Sequence, residues 1–297
     1  MKLKTIIELM DVKTLIASIL PVLYGTAYAW YKYDVFDLTL LICLLVAMIL
    51  IQSATNMVND CSDYESGADQ SDLLIDEKVL ARGETSVKEV ARLAIVFVLV
   101  SFVIGLYIAF RTSYAVLIVG LIGGIIALLY SLGPLPISHL PIGELVSGTT
   151  MGVGITSTVI YVQSGFVSLE TVLVALPLAL FIGTVLLSNN LSDIVKDKEQ
   201  GRKTLSILIG VEKSEILWII NVLSILIVIT GLFFVGIFPA PVIFFVLALF
   251  SFKNFTAFLS YKKSIKTKER TMKIIAIIGV RIHIAVIIGL IVGKLIQ

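Results

Sequence analysis

Apolar residues fall into nine runs, at about 14–31, 38–58, 90–110, 114–132, 142–163, 169–190, 215–236, 240–260 and 273–295. Each is near the length of about 20 residues that a helix needs to cross hydrocarbon. None alternates polar and apolar positions, as a spanning β-strand does. The pattern predicts an all-α polytopic membrane protein of about nine transmembrane helices, in one membrane domain over residues 1–297. Two polar stretches are long and acid-rich, at about 59–89 and 191–214, and both read as loops. Four spans separate them, which hints at a tandem repeat of helical hairpins; the similarity between the two stretches is weak.

Composition agrees with that reading. The chain is 58% hydrophobic and 15% charged, against roughly a quarter charged in soluble domains. A net charge of +2 gives no case for a nucleic-acid partner. The first apolar run is full-length, so it reads as a retained span and not a cleaved leader. Cys43 and Cys61 lie 18 residues apart. On one helix that is roughly 27 Å along the axis, which excludes a bridge between them.

Lysine and arginine set the orientation. Lys2, Lys4, Lys13, Lys78, Arg82, Lys88 and Arg92 fall on one side, joined by the basic residues of 196–213 and 262–273. Lys32, Arg111 and Lys294 fall on the other. The N-terminus and both long loops are therefore expected on the cytoplasmic side of a cell membrane.

Candidate chemistry concentrates where the second and sixth runs end. Seven acids lie between Asp60 and Glu77: Asp60, Asp63, Glu65, Asp69, Asp72, Asp76 and Glu77. Asn56, Asn59, Asp60 and Asp63 are spaced three and four apart, as are Asn190, Asp193 and Asp197, so each set shares one helical face. Carboxylates beside hydrocarbon are costly unless something offsets them. Mg²⁺ prefers oxygen ligands and completes its shell with water and substrate phosphate. Two such helix ends are expected to hold about two Mg²⁺ and a diphosphate. Lys78, Arg82, Arg202 and Lys203 flank the acids and suit diphosphate oxygens, although positive-inside anchoring accounts for basic residues there equally well. A diphosphate handled among apolar helices points to a polyprenyl diphosphate. Loss of its head group leaves an allylic cation that aromatic faces shelter, with Tyr24, Tyr28 and Tyr130 as candidates.

The run Gln52 to Asp69, containing Asn56-Met57-Val58-Asn59-Asp60-Cys61-Ser62-Asp63, resembles the first motif of the UbiA superfamily of intramembrane prenyltransferases. Three more stretches resemble its menaquinone-pathway branch, which prenylates 1,4-dihydroxy-2-naphthoate: Lys13 to Thr26, Tyr130 to Glu144, and Asn189 to Leu205. Nine helices around a central cavity are what the resemblance implies. It also implies Mg²⁺-dependent transfer of the prenyl group to the aromatic acceptor, with loss of CO₂ and diphosphate. Carried over, Asn59, Asp60, Asp63, Asp193 and Asp197 are metal and diphosphate ligands. Asn56 and Asn190 are supporting donors, Lys203 is a diphosphate contact, Tyr130 stands near the reacting carbon, and Glu144 belongs to the site. The chain departs from the family at Asp11-Val12, at the Leu74–Gly83 segment and at His139, all of which bear on the acceptor. Another aromatic acceptor, of the 4-hydroxybenzoate or homogentisate type, therefore stays open, as does a cation-coupled transporter. Arg281, His283, Lys253 and Asn254 fall within spans and have weaker claims to a role. Gly123, Gly124, Gly152 and Gly154 read as close-packing positions.

Overall fold

The structure, a computed structural model, describes residues 1–65, 67 and 78–297. Asp69, Asp72, Asp76 and Glu77, with residues 74–77 of the divergent segment 74–83, therefore lie outside the described residues. The helices are α1 (Leu3–Met10), α2 (Ile16–Tyr33), α3 (Leu38–Glu65), α4 (Val87–Arg111), α5 (Ala115–Ser131) and α6 (Gly143–Ser147). After a π-helical segment, Gly148–Ile155, come α7 (Thr156–Ser164), α8 (Leu169–Glu199), α9 (Leu205–Phe234), α10 (Ala240–Leu249), α11 (Phe252–Leu259) and α12 (Lys268–Leu295). Every apolar run of the sequence is helical. Among the described residues six helical stretches are long and apolar enough to cross a membrane, or seven if α10 and α11, bent by 51°, form one span. The expected count of nine is thus not reproduced. α5 has only 17 residues, and the 18-residue α2 ends in the amphipathic aromatic stretch Tyr28 to Tyr33.

The motif stretches correct the expected loop boundaries. α3 continues to Glu65 and α8 to Glu199, so the acids ride on helices well past the apolar runs. An intact backbone ladder costs nothing at a membrane surface, and the side chains alone meet water.

The chain forms two compact units. The first comprises 1–19 and 38–136 and is built on α3 packed against α1, α4 and α5. Its buried cluster joins Leu9 of α1, Ala54 and Met57 of α3, Val79 and Leu80, and Val90 and Ala94 of α4. α1 was not foreseen: Leu9 is fully buried while Leu3 and Ile7 on the same short helix are exposed. Asp11 closes α1 at φ 45°, in the left-handed region where Asp is among the better tolerated residues. A polar chain then fixes the α1–α2 turn. Ser18 Oγ donates to Gln52 Oε1 (3.1 Å), Gln52 Nε2 to Asn56 Oδ1 (3.1 Å), and Asn56 Nδ2 to Met10 O and Thr14 Oγ1 (2.8 Å each).

The second unit comprises 20–37 and 137–297. α8 is its axis, packed against α9, α12 and the π-helical segment. Close approach depends on glycine. A Cβ on Gly152 would lie 2.3 Å from Ala179 Cα, and one on Gly279 would lie 1.9 Å from the Phe181 ring. Gly123 and Gly124 of α5 have nothing within 4 Å of such a Cβ and Gly154 only its own helix, so the packing role expected of those three does not hold. Tyr24 and Tyr28 are fully buried in this unit. The Tyr24 hydroxyl donates to Val174 O at 2.9 Å, three residues before Pro177 interrupts the α8 donor ladder; Tyr28 donates to Glu170. Both hydroxyls are thus engaged inside this unit.

Candidate active site

In the second unit Asn190, Asp193 and Asp197 follow one another along α8, and all three are buried. Lys268, the first residue of α12, donates to Asp193 Oδ2 at 2.5 Å. The other oxygen, Oδ1, is buried and has no hydrogen-bond partner among the described residues. One turn on, Asp197 pairs with Arg202 (Nη1 to Oδ1, 3.4 Å), and the Arg202 amide donates to Asp197 O at 2.9 Å. The tight turn at Gly201, with φ 73°, folds Arg202 back over the helix end. Lys203 enters through its backbone, whose N–H donates to His139 O at 2.8 Å; its side chain is exposed. Asn190 Nδ2 donates to Glu144 Oε1 at 2.9 Å, and Glu144 Oε2 is a second buried oxygen without a partner among the described residues. The second unit therefore brings together Glu144, Asn190, Asp193, Asp197 and Arg202.

In the first unit Asn59, Asp60 and Asp63 are half-buried on the last two turns of α3. Lys78 pairs with Asp60. Asn56 is committed to the α1–α2 turn, so its contribution to the motif is to hold the helix in place. Arg82 turns away to Glu8 (2.5 Å) and Glu84 (2.7 Å), and its hydrogen bond holds the Glu84 carboxyl below the ordinary range. Arg82 thus ties α1 to the segment after the first motif. Tyr130 is half-buried on α5.

Of the weaker candidates, Arg281 and Lys253 are exposed. His283 is fully buried against Phe181, with Nδ1 2.7 Å from Gly279 O. Sequence reasoning missed Lys268. It lies in the basic run 262–273, where nothing local separates a site lysine from an anchoring one.

Among the described residues, no three His, Cys, Asp or Glu side chains of either unit gather around one point. The donor set of α8 nevertheless fits a hard cation. It offers carboxylate oxygens one turn apart, and the buried Asp193 Oδ1 has no hydrogen-bond partner among the described residues.

Family comparison bears on what these motifs are. The UbiA prenyltransferase family model matches residues 18–277. The chain belongs to that family. A 1,4-dihydroxy-2-naphthoate octaprenyltransferase of Bacillus subtilis is 36% identical over 197 residues, covering 66% of this chain and 63% of that protein. The chain thus spans less than two thirds of that relative's length. A 1,4-dihydroxy-2-naphthoate octaprenyltransferase of Haemophilus influenzae is 28% identical, covering 72% of each chain. Among solved structures, a UbiA homologue from Archaeoglobus fulgidus bound to GPP and Mg²⁺ superposes with a TM-score of 0.67 at 17% identity, over 95% of this chain and 99% of that one. At that identity the likeness establishes a shared UbiA fold over nearly the whole length.

Proposed function

We propose that this UbiA-family protein is a polyprenyltransferase that transfers a polyprenyl group from its diphosphate to 1,4-dihydroxy-2-naphthoate. The observation that carries the reading is the buried Asp193 Oδ1, without a hydrogen-bond partner among the described residues, one turn from the Asp197 that pairs with Arg202. Such an arrangement suits a cation that in turn binds an anionic head group. Family membership directs that chemistry to a prenyl diphosphate, and the two octaprenyltransferase relatives direct it to the naphthoate acceptor.

Asn59, Asp60 and Asp63 of α3 and Asp193 and Asp197 of α8 are the proposed metal ligands. Mg²⁺ would supply Lewis-acid neutralisation of the departing diphosphate. Arg202 then contributes a fixed guanidinium suited to phosphate oxygens, held in place by its own backbone bond to Asp197. Lys78 and Lys203 are the further proposed head-group contacts. Asn190 and Glu144 hold each other and present one free carboxylate oxygen. The apolar helices keep water from the cation left when the allylic C–O bond breaks and its electron pair departs with diphosphate. Tyr130 is the proposed aromatic neighbour of that carbon. The ring carbon bearing the acceptor's carboxylate forms the new C–C bond. The C–CO₂⁻ bond then breaks, its electrons restore the aromatic ring, and CO₂ leaves, giving a demethylmenaquinol. On the positive-inside pattern, the motif ends of α3 and α8 face the cytoplasm of a cell membrane.

The test is purified protein with Mg²⁺, octaprenyl diphosphate and one acceptor at a time. Mass spectrometry should find the decarboxylated prenylnaphthalenediol with 1,4-dihydroxy-2-naphthoate and no product with 4-hydroxybenzoate or homogentisate. Turnover of either alternative without the naphthoate product overturns the acceptor assignment.

A further inference from the structure

Each carboxylate motif carries a lysine from a distant segment, Lys78 on Asp60 and Lys268 on Asp193. The second pair is the more informative. Asp193 is 7% exposed, and its Oδ1 has no partner among the described residues. A buried ion pair selected only for structure leaves its other lone pairs satisfied. This one leaves a carboxylate oxygen open.

Lys263, five residues earlier, shows what a structural lysine looks like here. Its side chain is 1% exposed and pairs with Glu215 at 3.1 Å. Its ammonium also donates to Phe258 O and to Tyr261 O, and lies 4.0 Å from the Phe258 ring centre. All of its donors are used, and it has nowhere to go. Lys268 has one partner among the described residues, and its side chain is 37% exposed. Its backbone, by contrast, is braced. The turn before α12 is closed by Ser264 and Thr267, Tyr261 Oη donates to Thr271 Oγ1 at 3.0 Å, and Arg270 lies over the Tyr261 ring at 4.2 Å. A fixed stem with a free ammonium can exchange one anion for another.

We propose that Lys268 is a positioning residue that neutralises Asp193 while no metal is bound and transfers its ammonium to the diphosphate when metal arrives. The inference rests on Asp193 being a metal ligand. An ammonium and a divalent cation compete for one carboxylate, because each raises the cost of placing the other beside it. Lys268 therefore opposes metal binding alone. Once a diphosphate supplies oxygens, the displaced ammonium gains a new partner. Metal and head group then bind cooperatively, and the coupling is reciprocal. The carboxylate is never left buried and bare, and the loaded state is reached only with both ligands.

The experiment measures Mn²⁺ binding to the purified full chain by electron paramagnetic resonance, without prenyl diphosphate. Lys268→Gln should bind Mn²⁺ about tenfold more tightly than the natural protein, the loss of one charge-assisted hydrogen bond that metal must otherwise displace. Lys268→Arg, which keeps the cation, should stay near the natural affinity. Asp193→Asn separates the two layers of the argument. If it leaves Mn²⁺ binding unchanged, the metal-ligand reading fails and the exchange falls with it. If Asp193→Asn weakens binding while Lys268→Gln matches or falls below the natural affinity, only the exchange is overturned. A readout on the natural protein serves even if Lys268→Gln does not fold: acetylation of Lys268 by acetic anhydride, followed by mass spectrometry. Mn²⁺ alone should raise Lys268 reactivity, and Mn²⁺ with inorganic diphosphate should lower it again. Reactivity indifferent to both overturns the proposal.

Discussion

Asp193 and Asp197 stand near the end of a helix that is apolar for its first twenty residues, and burial gives them their importance. Their spacing was legible because an acid beside hydrocarbon is conspicuous in a chain with 21 acids among 297 residues. The partners were not. Lys268 is hidden among basic neighbours, and Arg202 reads equally well as an anchor until the turn at Gly201 is seen to bring it onto Asp197. Arg82 shows the same limit: its sequence position beside the first motif suggested a diphosphate contact, and its pairing with Glu8 and Glu84 was not legible there. At this scale the prediction is that Asp193→Asn lowers kcat/KM by at least about 10²-fold, the range for losing a preorganised electrostatic contact. Tm should stay close to the natural value, because Lys268 is exposed enough to be solvated alone. Steady-state assays beside thermal denaturation in detergent check both halves. Removing Leu9 should do the reverse. Leu9→Ala empties a fully buried position in the first unit and should cost about 2–5 kcal/mol of stability, with unchanged kcat in the protein that remains folded.

For the elements, hydrophobic length alone located every long apolar helix but not the short α1, since a run of about 20 apolar residues has few alternatives to a helix in lipid. Their interruptions stayed invisible. No Pro or Gly marks the bend between α10 and α11, which falls at Phe250–Ser251. The π-helical segment follows from how Gly148 and Gly152 meet Ala179, a tertiary fact with no local signature. Glycine counts misled for the same reason: a pair such as Gly123-Gly124 looks like a packing motif whether or not a neighbour is present. Gly279→Ala should therefore destabilise the protein by about 1–3 kcal/mol through overpacking against Phe181. Gly123→Ala should be neutral or slightly stabilising, by up to about 1 kcal/mol of helix propensity. Denaturation of the two variants side by side distinguishes them.

On the scale of the whole molecule, the charge pattern along the chain predicts which helix ends share a membrane face. In a Cys43→Ala, Cys61→Ala background, cysteines at Lys203 and Lys266 should resist a membrane-impermeant maleimide in intact cells and react after permeabilisation. A cysteine at Arg111 should react in both conditions. Labelling of Lys203 and Lys266 from outside would reverse the orientation and place the α8 carboxylates on the wrong side for a cytoplasmic prenyl donor. The number of crossings was the least legible property at this scale. It depends on how short helices such as α5 are completed by their surroundings, and composition does not record that.

The π-helical segment between α6 and α7 acts as a slack link in the span that carries Glu144. Each residue of an ordinary helix advances the chain by about 100° around its axis, and one turn too wide hides a single surplus residue. Excising one residue from 148–155 would let the span relax to a regular helix. It would also swing Glu144 about a quarter-turn away from Asn190, although neither residue had been changed. The same excision within α4, which carries no proposed site residue, should leave the Glu144–Asn190 pair untouched, so comparing the two shortened proteins for product formation would show whether that surplus residue sets the aim of the carboxylate.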